Sequence, residues 1–161
     1  MMQRAERLRA GTPRPGDADP EGARQRLRLW LQMLKSVRHV ESALRERLRE
    51  DYATTLPRFE VLALLDRRPA GLRMSELSRQ LMVSNGNVTG IVDRLEEEGL
   101  VARAPVAGDR RATLARLTPA GRALMDEMVA AHAGWIDALL GGLDEAEVAR
   151  AIAMMIEIRR N

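Results

Sequence analysis

The sequence predicts a mainly α-helical protein with a small β-hairpin, in which long terminal helices bracket three shorter ones. Apolar residues recur at helical spacing in several segments, which favours amphipathic helices. Capping residues, prolines and glycines stand where most of these segments begin or end. Two short stretches with partial two-residue alternation flank a charged turn, which is typical of a hairpin.

Composition limits the classes of function. The 161 residues suit one domain with a helical arm, and 45 % of them are apolar against 2 % aromatic. The formal charge is only +3, so the local distribution must support any nucleic-acid partner. Without cysteine, disulfides and thiol redox sensing are excluded, and His39 and His132 are too few for a metal site. With no membrane-length apolar run and no signal peptide, we expect a cytoplasmic protein without a cofactor or membrane partner.

The N-terminal region combines a tail with a long helix. Residues 1–22 are rich in Arg, Pro, Gly and Asp, which predicts a disordered tail. Its arginines could contact DNA or a nucleotide-bearing ligand, but a solvated tail is favoured. Residues 23–50 read as one helix with two apolar stripes, a surface wider than one small domain requires. Dimerisation is the simplest account. The stripes contain Met33, Val37, Val40, Leu44 and Leu48, and Leu27, Trp30, Leu31 and Leu34.

Two helices lead towards the centre of the chain. Thr55 is placed as the N-cap of a helix with Pro57 in its first turn, and this helix stops at Pro69. After a brief extended piece at 71–73, a short helix spans about 74–81. Its cap is open between Ser75 and Arg73.

The next helix begins at Ser84, whose hydroxyl can accept a free amide proton of the first turn. Val88, Ile91, Val92 and Leu95 recur at helical spacing and predict one buried stripe. Gly99 follows as a residue that can adopt the left-handed conformation at a helix end.

The opposite face of this helix is unusual. Gly86, Gly90, Asp93 and Glu97 project away from the stripe. Each glycine costs roughly 1 kcal/mol of helix stability relative to alanine. A solvated face gains nothing from this, whereas a bare backbone ridge lets flanking side chains reach base edges in a major groove. Tolerated surface glycines are the alternative. The acidic residues 96–98 would repel phosphate, so DNA would meet the N-terminal half.

A charged hairpin follows. The segments 100–104 and 112–117 are predicted strands, and 105–111 is the tip between them. A basic tip on a narrow ribbon fits a minor groove or a line of phosphates. Asp109 could orient one guanidinium through a bidentate pair with Arg110 or Arg111. The alternative is a solvated turn.

Two more helices complete the chain. Thr118 and Pro119 form a strong helix start, and this helix runs to about Leu140 before two glycines. Asp144 and Glu147 are spaced as a capping box for the last helix. We therefore predict a disordered tail at 1–22 and a single domain at 23–161. Within this domain, a winged helix-turn-helix at 55–117 lies between helices at 23–50 and 118–159, which form a dimerisation region.

Three motifs resemble the MarR family of bacterial transcription regulators: LPRFEVLALL from Leu56, SNGNVTGIVDRLEEEGLV from Ser84, and GDRRATLARLTPAGR from Gly108. The resemblance covers about 27–158. It implies a homodimer with interleaved N- and C-terminal helices on a near-palindromic double-stranded DNA site. The implied DNA contacts are Ser84, Asn85, Asn87, Val88, Thr89, Arg94, Asp109, Arg110 and Arg111. The side chains expected at an effector pocket are Trp30, His39, Arg58 and Trp135, and a packing role, for the tryptophans in the core or at the dimer interface, is the alternative. The expected dimer interface contains Leu27, Leu31, Leu143, Val148, Ile152, Met155 and Ile158.

The leading functional hypothesis is a homodimeric repressor whose operator binding is relieved by a small organic ligand, an aromatic carboxylate or acyl-CoA-type molecule, with a lipophilic toxin as the next choice. The alternatives are a ligand-independent regulator and a non-catalytic protein-interaction module. The sequence contains no nucleophile–base pair, metal-ligand cluster or phosphate-cradling glycine loop, so it does not predict an enzyme.

Overall fold

The structure, a computed structural model, describes residues 19–106 and 109–160. The chain divides into two units between His39 and Val40, and the architecture below belongs to the second. The elements in chain order are α1 (Pro20–Tyr52), α2 (Leu56–Asp66), β1 (Leu72–Arg73), α3 (Met74–Leu81), α4 (Asn85–Glu97), β2 (Val101–Val106), β3 (Asp109–Leu117), α5 (Pro119–Leu140) and α6 (Glu145–Arg160). Within the described ranges, no helix is long and apolar enough to cross a membrane.

The mainly helical fold with a small wing is confirmed, with differences at several element ends. Helix α1 is longer than the predicted 23–50 at both ends. Residues 20–22 of the predicted tail therefore belong to this helix. Residues 1–18 of the predicted tail lie outside the described residues. Thr55 occupies the N-cap of α2, but its hydroxyl makes no capping bond, so this part of the prediction is wrong. The sequence left the N-cap of α3 open between Ser75 and Arg73, and in the structure it is Arg73. The backbone N–H of Arg73 donates to Glu76 Oε2 at 2.8 Å.

The sheet has three antiparallel strands in the order β1-β3-β2. The hairpin is confirmed, and its strands extend further into the expected tip, with a register shift between Pro105 and Val106. The extended piece before α3 is the third strand, where Leu72 pairs with Ala115. The brief extended piece was predicted, but its pairing with β3 was not, because the partner residues lie far away in sequence.

One hydrophobic core lies beneath α3 and α4 and joins them to the sheet, to α2 and to parts of α1 and α5. Each fully buried aliphatic side chain contributes about 1.5–3 kcal/mol through removal from water. Helix α4 is therefore fixed along its inner face, and its outer face is left free. The largest fully buried side chains are Leu48, Val61, Leu62, Leu65, Leu77, Val88, Val92, Leu95, Val101, Met125 and Met128.

The start of α5 is docked against the turn that ends α4. Gly99 has a φ of 73°, as expected for a left-handed helix end. The Thr118 hydroxyl donates to the Gly99 carbonyl at 2.6 Å and accepts the Gly121 N–H at 3.0 Å. A Cβ on Gly121 would overlap the carbonyl oxygen of Leu100. This close approach fixes the end of α4 relative to the helix that follows the wing.

Candidate nucleic-acid interface

Helix α4 has one buried and one open face. The Ser84 hydroxyl accepts the Asn87 N–H at 3.3 Å, so the predicted N-cap is confirmed. Val88, Val92 and Leu95 are fully buried. The outer face presents short polar side chains and one cation to solvent: Ser84, Asn85, Asn87, Thr89 and Arg94.

Val88 is an exception among the residues expected to contact DNA. It is 0 % exposed and belongs to the core. A side chain sealed beneath the helix cannot reach a base edge, so the prediction of a DNA contact is wrong for this residue. Its role is to hold α4 against the domain.

The two exposed glycines of α4 form a bare ridge between these polar side chains. A Cβ built on Gly86 or Gly90 would meet nothing within 4 Å. Neither glycine is therefore required by packing within the chain. The missing side chains leave room for a molecule outside it.

Thr89 is partly committed inside the helix. Its hydroxyl donates to the Asn85 carbonyl at 2.8 Å, so its oxygen lone pairs remain available to a donor outside the protein. The side-chain amides of Asn85 and Asn87 offer both donors and acceptors. This mixture is the chemistry with which proteins read base edges in a major groove.

A concavity of about 390 Å³ lies between the start of α2 and the outer face of α4. Arg58 reaches into this region and forms an ion pair with Glu98 at the C-cap of α4. The Arg58 Nε is enclosed and has no hydrogen-bond partner among the described residues. Sequence reasoning assigned Arg58 to an effector pocket and missed this ion pair. The residues lining the concavity are Thr55, Pro57, Arg58, Gly86, Asn87, Gly90, Ile91 and Arg94.

A second arginine binds the acidic end of α4 to the wing. Arg103 on β2 places Nη1 at 2.6 Å from Asp93 Oδ1 and at 3.0 Å from Glu96 Oε2. Its backbone N–H also donates to Glu96 Oε1 at 3.2 Å. The carboxylates of Glu96 and Glu98 are thus both paired within the chain, which weakens the repulsion that they would exert on phosphates. No sequence motif had pointed to Arg103.

The wing carries the remaining expected DNA contacts. Asp109 begins β3 and pairs with Val106, and Arg110 and Arg111 follow it on the same strand. Residues 107–108 at the tip, and the side chains of these three residues, lie outside the described part of the structure. Their contacts with DNA therefore stay a prediction.

An aromatic cluster joins the end of α1 to α2 and α5. The rings of Phe59 and His132 stack with centroids 4.8 Å apart, and Trp135 meets Tyr52 edge-on at 6.1 Å. Burial lowers the pKa of His132, because desolvation penalises the charged imidazolium.

The four side chains expected at an effector pocket have different surroundings. Trp135 belongs to the aromatic cluster, whereas Arg58 pairs with Glu98 beside α4. Trp30 is 53 % exposed and His39 is also exposed, both in the first unit of the chain. Among the described residues, no group of three or more His, Cys, Asp or Glu could hold a metal ion.

Helix α6 carries an exposed apolar face. Its predicted capping box is confirmed: the Asp144 N–H donates to Glu147 at 2.9 Å, and the Glu147 N–H donates to Asp144 at 2.7 Å. Yet α6 contributes no buried residue. The residues expected at a dimer interface are all exposed in the single chain: Leu27, Leu31, Leu143, Val148, Ile152, Met155 and Ile158.

A helix-turn-helix with an open second helix and a β-hairpin wing is the architecture of winged-helix DNA-binding transcription regulators. A model of the MarR family matches residues 54–113. The transcriptional regulator PecS of Dickeya dadantii is 31 % identical over 112 residues, which are 68 % of each protein. The chain belongs to the MarR family of transcription regulators.

Solved structures share the fold. Sco3205, a MarR family regulator from Streptomyces coelicolor in complex with DNA, superposes with a TM-score of 0.75 at 22 % identity over 86 % of each chain. BpsR of Bordetella bronchiseptica, studied for regulation of its DNA binding by 6-hydroxynicotinic acid, gives a TM-score of 0.71 at 23 % identity. That match covers 82 % of this chain and 98 % of BpsR.

Proposed function

We propose that this regulator is a cytoplasmic homodimeric repressor that binds a near-palindromic operator and releases it when a small organic anion binds. The ligand class is an aromatic carboxylate or an acyl-CoA-type molecule. Each subunit places α4 in a major groove and its wing in the adjacent minor groove. Two such units require half-sites about one helical turn apart.

The observation that best supports base recognition by this protein is the ridge that Gly86 and Gly90 form on α4. Gly86 and Gly90 cost helix stability and fill no packing role in the chain. Without their side chains, a flat partner can approach the backbone closely enough for the flanking side chains to reach it. We assign the groove contacts to Ser84, Asn85, Asn87, Thr89 and Arg94, and the wing contacts to Asp109, Arg110 and Arg111.

Dimerisation is supported by the exposed apolar face of α6. Ile152 is 55 % exposed and Ile158 is 45 % exposed, and α6 buries nothing in the single chain. An apolar surface of this kind is unfavourable in water unless a partner covers it. A second copy would cover it and also supply the second α4 that a palindromic site requires.

The effector proposal rests on chemistry near Trp135. In a chain with few aromatic residues, Tyr52, Phe59, His132 and Trp135 form one cluster. Phe59 is buried against His132, whereas Tyr52, His132 and Trp135 are half-buried and suit contact with a planar aromatic ligand. The 6-hydroxynicotinic acid that regulates BpsR is an aromatic carboxylate. Trp30, His39 and Arg58 remain predicted contacts for such a ligand.

Fluorescence anisotropy with DNA from upstream of the protein's own gene tests the proposal. A scrambled duplex of the same composition and an Arg111→Ala variant serve as controls. We expect tight binding that scrambling abolishes, that Arg111→Ala weakens and that an aromatic carboxylate reverses. Equal and weak binding to both duplexes, with no fragment enriched when genomic DNA is captured on the protein, would contradict it.

A further inference from the structure

We infer that a cavity beside the N-terminus of α2 is an oxyanion-binding site, separate from the base-reading face of α4. The cavity has a volume of about 440 Å³. The end of α1 contributes Arg45, Glu46 and Arg49 to its lining, and the segment that leads into α2 contributes Thr54, Thr55 and Pro57.

Thr54 supplies the first argument. The residue is 9 % exposed, and its backbone N–H donates to the Leu48 carbonyl at 3.1 Å. Its hydroxyl has no hydrogen-bond partner among the described residues. Among the described residues, Arg58 Nε is the only side-chain nitrogen or oxygen that is both enclosed and without a partner. The Thr54 hydroxyl also lacks a partner, so it is not enclosed in the interior. It therefore opens on the cavity that Thr54 lines, as a donor without an acceptor.

The helix terminus supplies the second argument. The first N–H groups of a helix have no partner within the helix and carry its positive dipole end. In α2 the Thr55 hydroxyl makes no capping bond, and the first turn contains no acidic residue. The free N–H groups of this turn are therefore uncompensated, and an anion is the group that stabilises such an end.

The charges of the lining favour the same ligand. Arg49 forms no ion pair with any described residue, and Arg45 pairs with Glu41 at 2.7 Å. The Arg45 pair is exposed, so it is weak and can exchange for another anion. Glu46 is the one carboxylate among the lining residues, and Arg49 is the lining cation that has no ion-pair partner among the described residues. Phosphate or carboxylate oxygens fit these donors.

The position of the cavity indicates where such an anion could come from. Thr55 and Pro57 also line the concavity that borders Gly90 on α4, so the cavity lies beside the proposed DNA surface. One source is a backbone phosphate that flanks the groove, and this source rests on the proposed function. The other is a free anionic metabolite. Both present the same oxygens to the site.

Titration of the full chain with inorganic phosphate at constant ionic strength tests the site without DNA. We expect the backbone amide signals of Thr55 and Leu56 to shift, and Arg49→Gln and Thr54→Val to weaken phosphate binding by about tenfold. Arg47→Gln removes an exposed arginine of the same helix that does not line the cavity, and it should bind phosphate as the wild type does. Absence of the amide shifts in the wild type, or an equal loss in Arg47→Gln and Arg49→Gln, would overturn the inference.

A second readout separates ligand binding from a structural role of Thr54. Because the Thr54 hydroxyl opens on the cavity and has no partner among the described residues, its removal breaks no hydrogen bond within the fold. We therefore expect Thr54→Val to melt at the same temperature as the wild type or higher in the absence of phosphate. A clear loss of stability would mean that the hydroxyl already has a structural partner, and would overturn the argument.

The salt dependence of operator binding identifies the source of the anion. Each phosphate contact contributes about one unit to the slope of log K against log salt. If DNA supplies the phosphate, Arg49→Gln lowers this slope by about one, whereas Arg47→Gln does not. If Arg49→Gln loses phosphate binding but keeps the slope, the source is a free anion. Failure to bind any operator would contradict the proposed function alone, because the phosphate titration contains no DNA.

Discussion

Arg103 on β2 and Asp93 on α4 form an ion pair of 2.6 Å that joins the base of the wing to the helix proposed to read DNA. The same guanidinium also contacts Glu96 at 3.0 Å. The pair has two consequences. It fixes the wing relative to α4, and it pairs carboxylates that would repel the phosphates of the proposed DNA partner.

The first prediction concerns this connection. Arg103→Gln should lower operator affinity by about tenfold, because the carboxylates of Asp93 and Glu96 lose their ion-pair partner and face the DNA unpaired. The free energy of unfolding should fall by less than about 1 kcal/mol, since the pair is partly exposed. Anisotropy and urea denaturation measure the two quantities. Arg116→Gln, at an exposed position on β3, is the control, and equal affinities of the two variants would contradict this role.

The second prediction concerns the close approach of α5 to the end of α4. Gly121→Ala should destabilise the fold by about 1–3 kcal/mol, because the new methyl group overlaps the Leu100 carbonyl. Gly134 lies in the same helix, and a methyl group at this position would meet no neighbouring atom within 4 Å. Gly134→Ala should therefore be neutral or stabilising. Urea denaturation measures both changes. Similar stability of the two variants would show that Gly121 and the Leu100 carbonyl are not in close contact, and would contradict the prediction.

The third prediction concerns pH. Burial lowers the pKa of His132 below its ordinary value of 6.5, so the unfolded chain takes up the proton before the folded chain does. The stability should therefore decline as the pH falls from about 6.5 towards the lowered pKa. His132→Phe keeps the ring against Phe59 and should remove this contribution. The difference in melting temperature between wild type and variant should change below pH 6.5 and stay constant above it. A constant difference throughout would contradict the assignment.

The fourth prediction concerns the apolar face of α6. Ile152→Asp should produce a monomer, because a charge at the proposed interface cannot be buried without a partner. Operator affinity should fall with it, since one subunit engages only one half-site. The helical circular dichroism should be retained because Ile152 is 55 % exposed in the single chain. Sedimentation velocity measures the mass, with Arg150→Asp as the control. A dimer of Ile152→Asp with wild-type stability would place the interface elsewhere.

Local interactions explain why the sequence predicts most of the fold. The Ser84 cap bonds to Asn87 and the Asp144 cap bonds to Glu147, so both are set by residues three positions apart. Such short-range signals, together with helical periodicity, locate the elements without knowledge of the tertiary structure. The wing is predicted for the same reason, from its alternation and turn residues.

Interactions between distant residues could not be predicted in this way. Arg58 and Glu98 are 40 positions apart, and nothing in either local sequence indicates their pairing. The position of Arg103 opposite Asp93 depends on the turn between α4 and β2. Helical periodicity alone could have excluded Val88 from the DNA contacts, because it places this residue on the buried stripe.

The measurement that tests the account most directly compares Gly90→Ala with Gly134→Ala. Both substitutions replace a helical glycine with open surroundings, so each should raise the free energy of unfolding by up to about 1 kcal/mol. Only Gly90→Ala places a methyl group on the ridge that we propose to lie against DNA, and it should weaken operator binding by at least about tenfold while Gly134→Ala binds normally. Operator binding by Gly90→Ala as tight as that of the wild type would contradict the assignment of this face to the DNA groove.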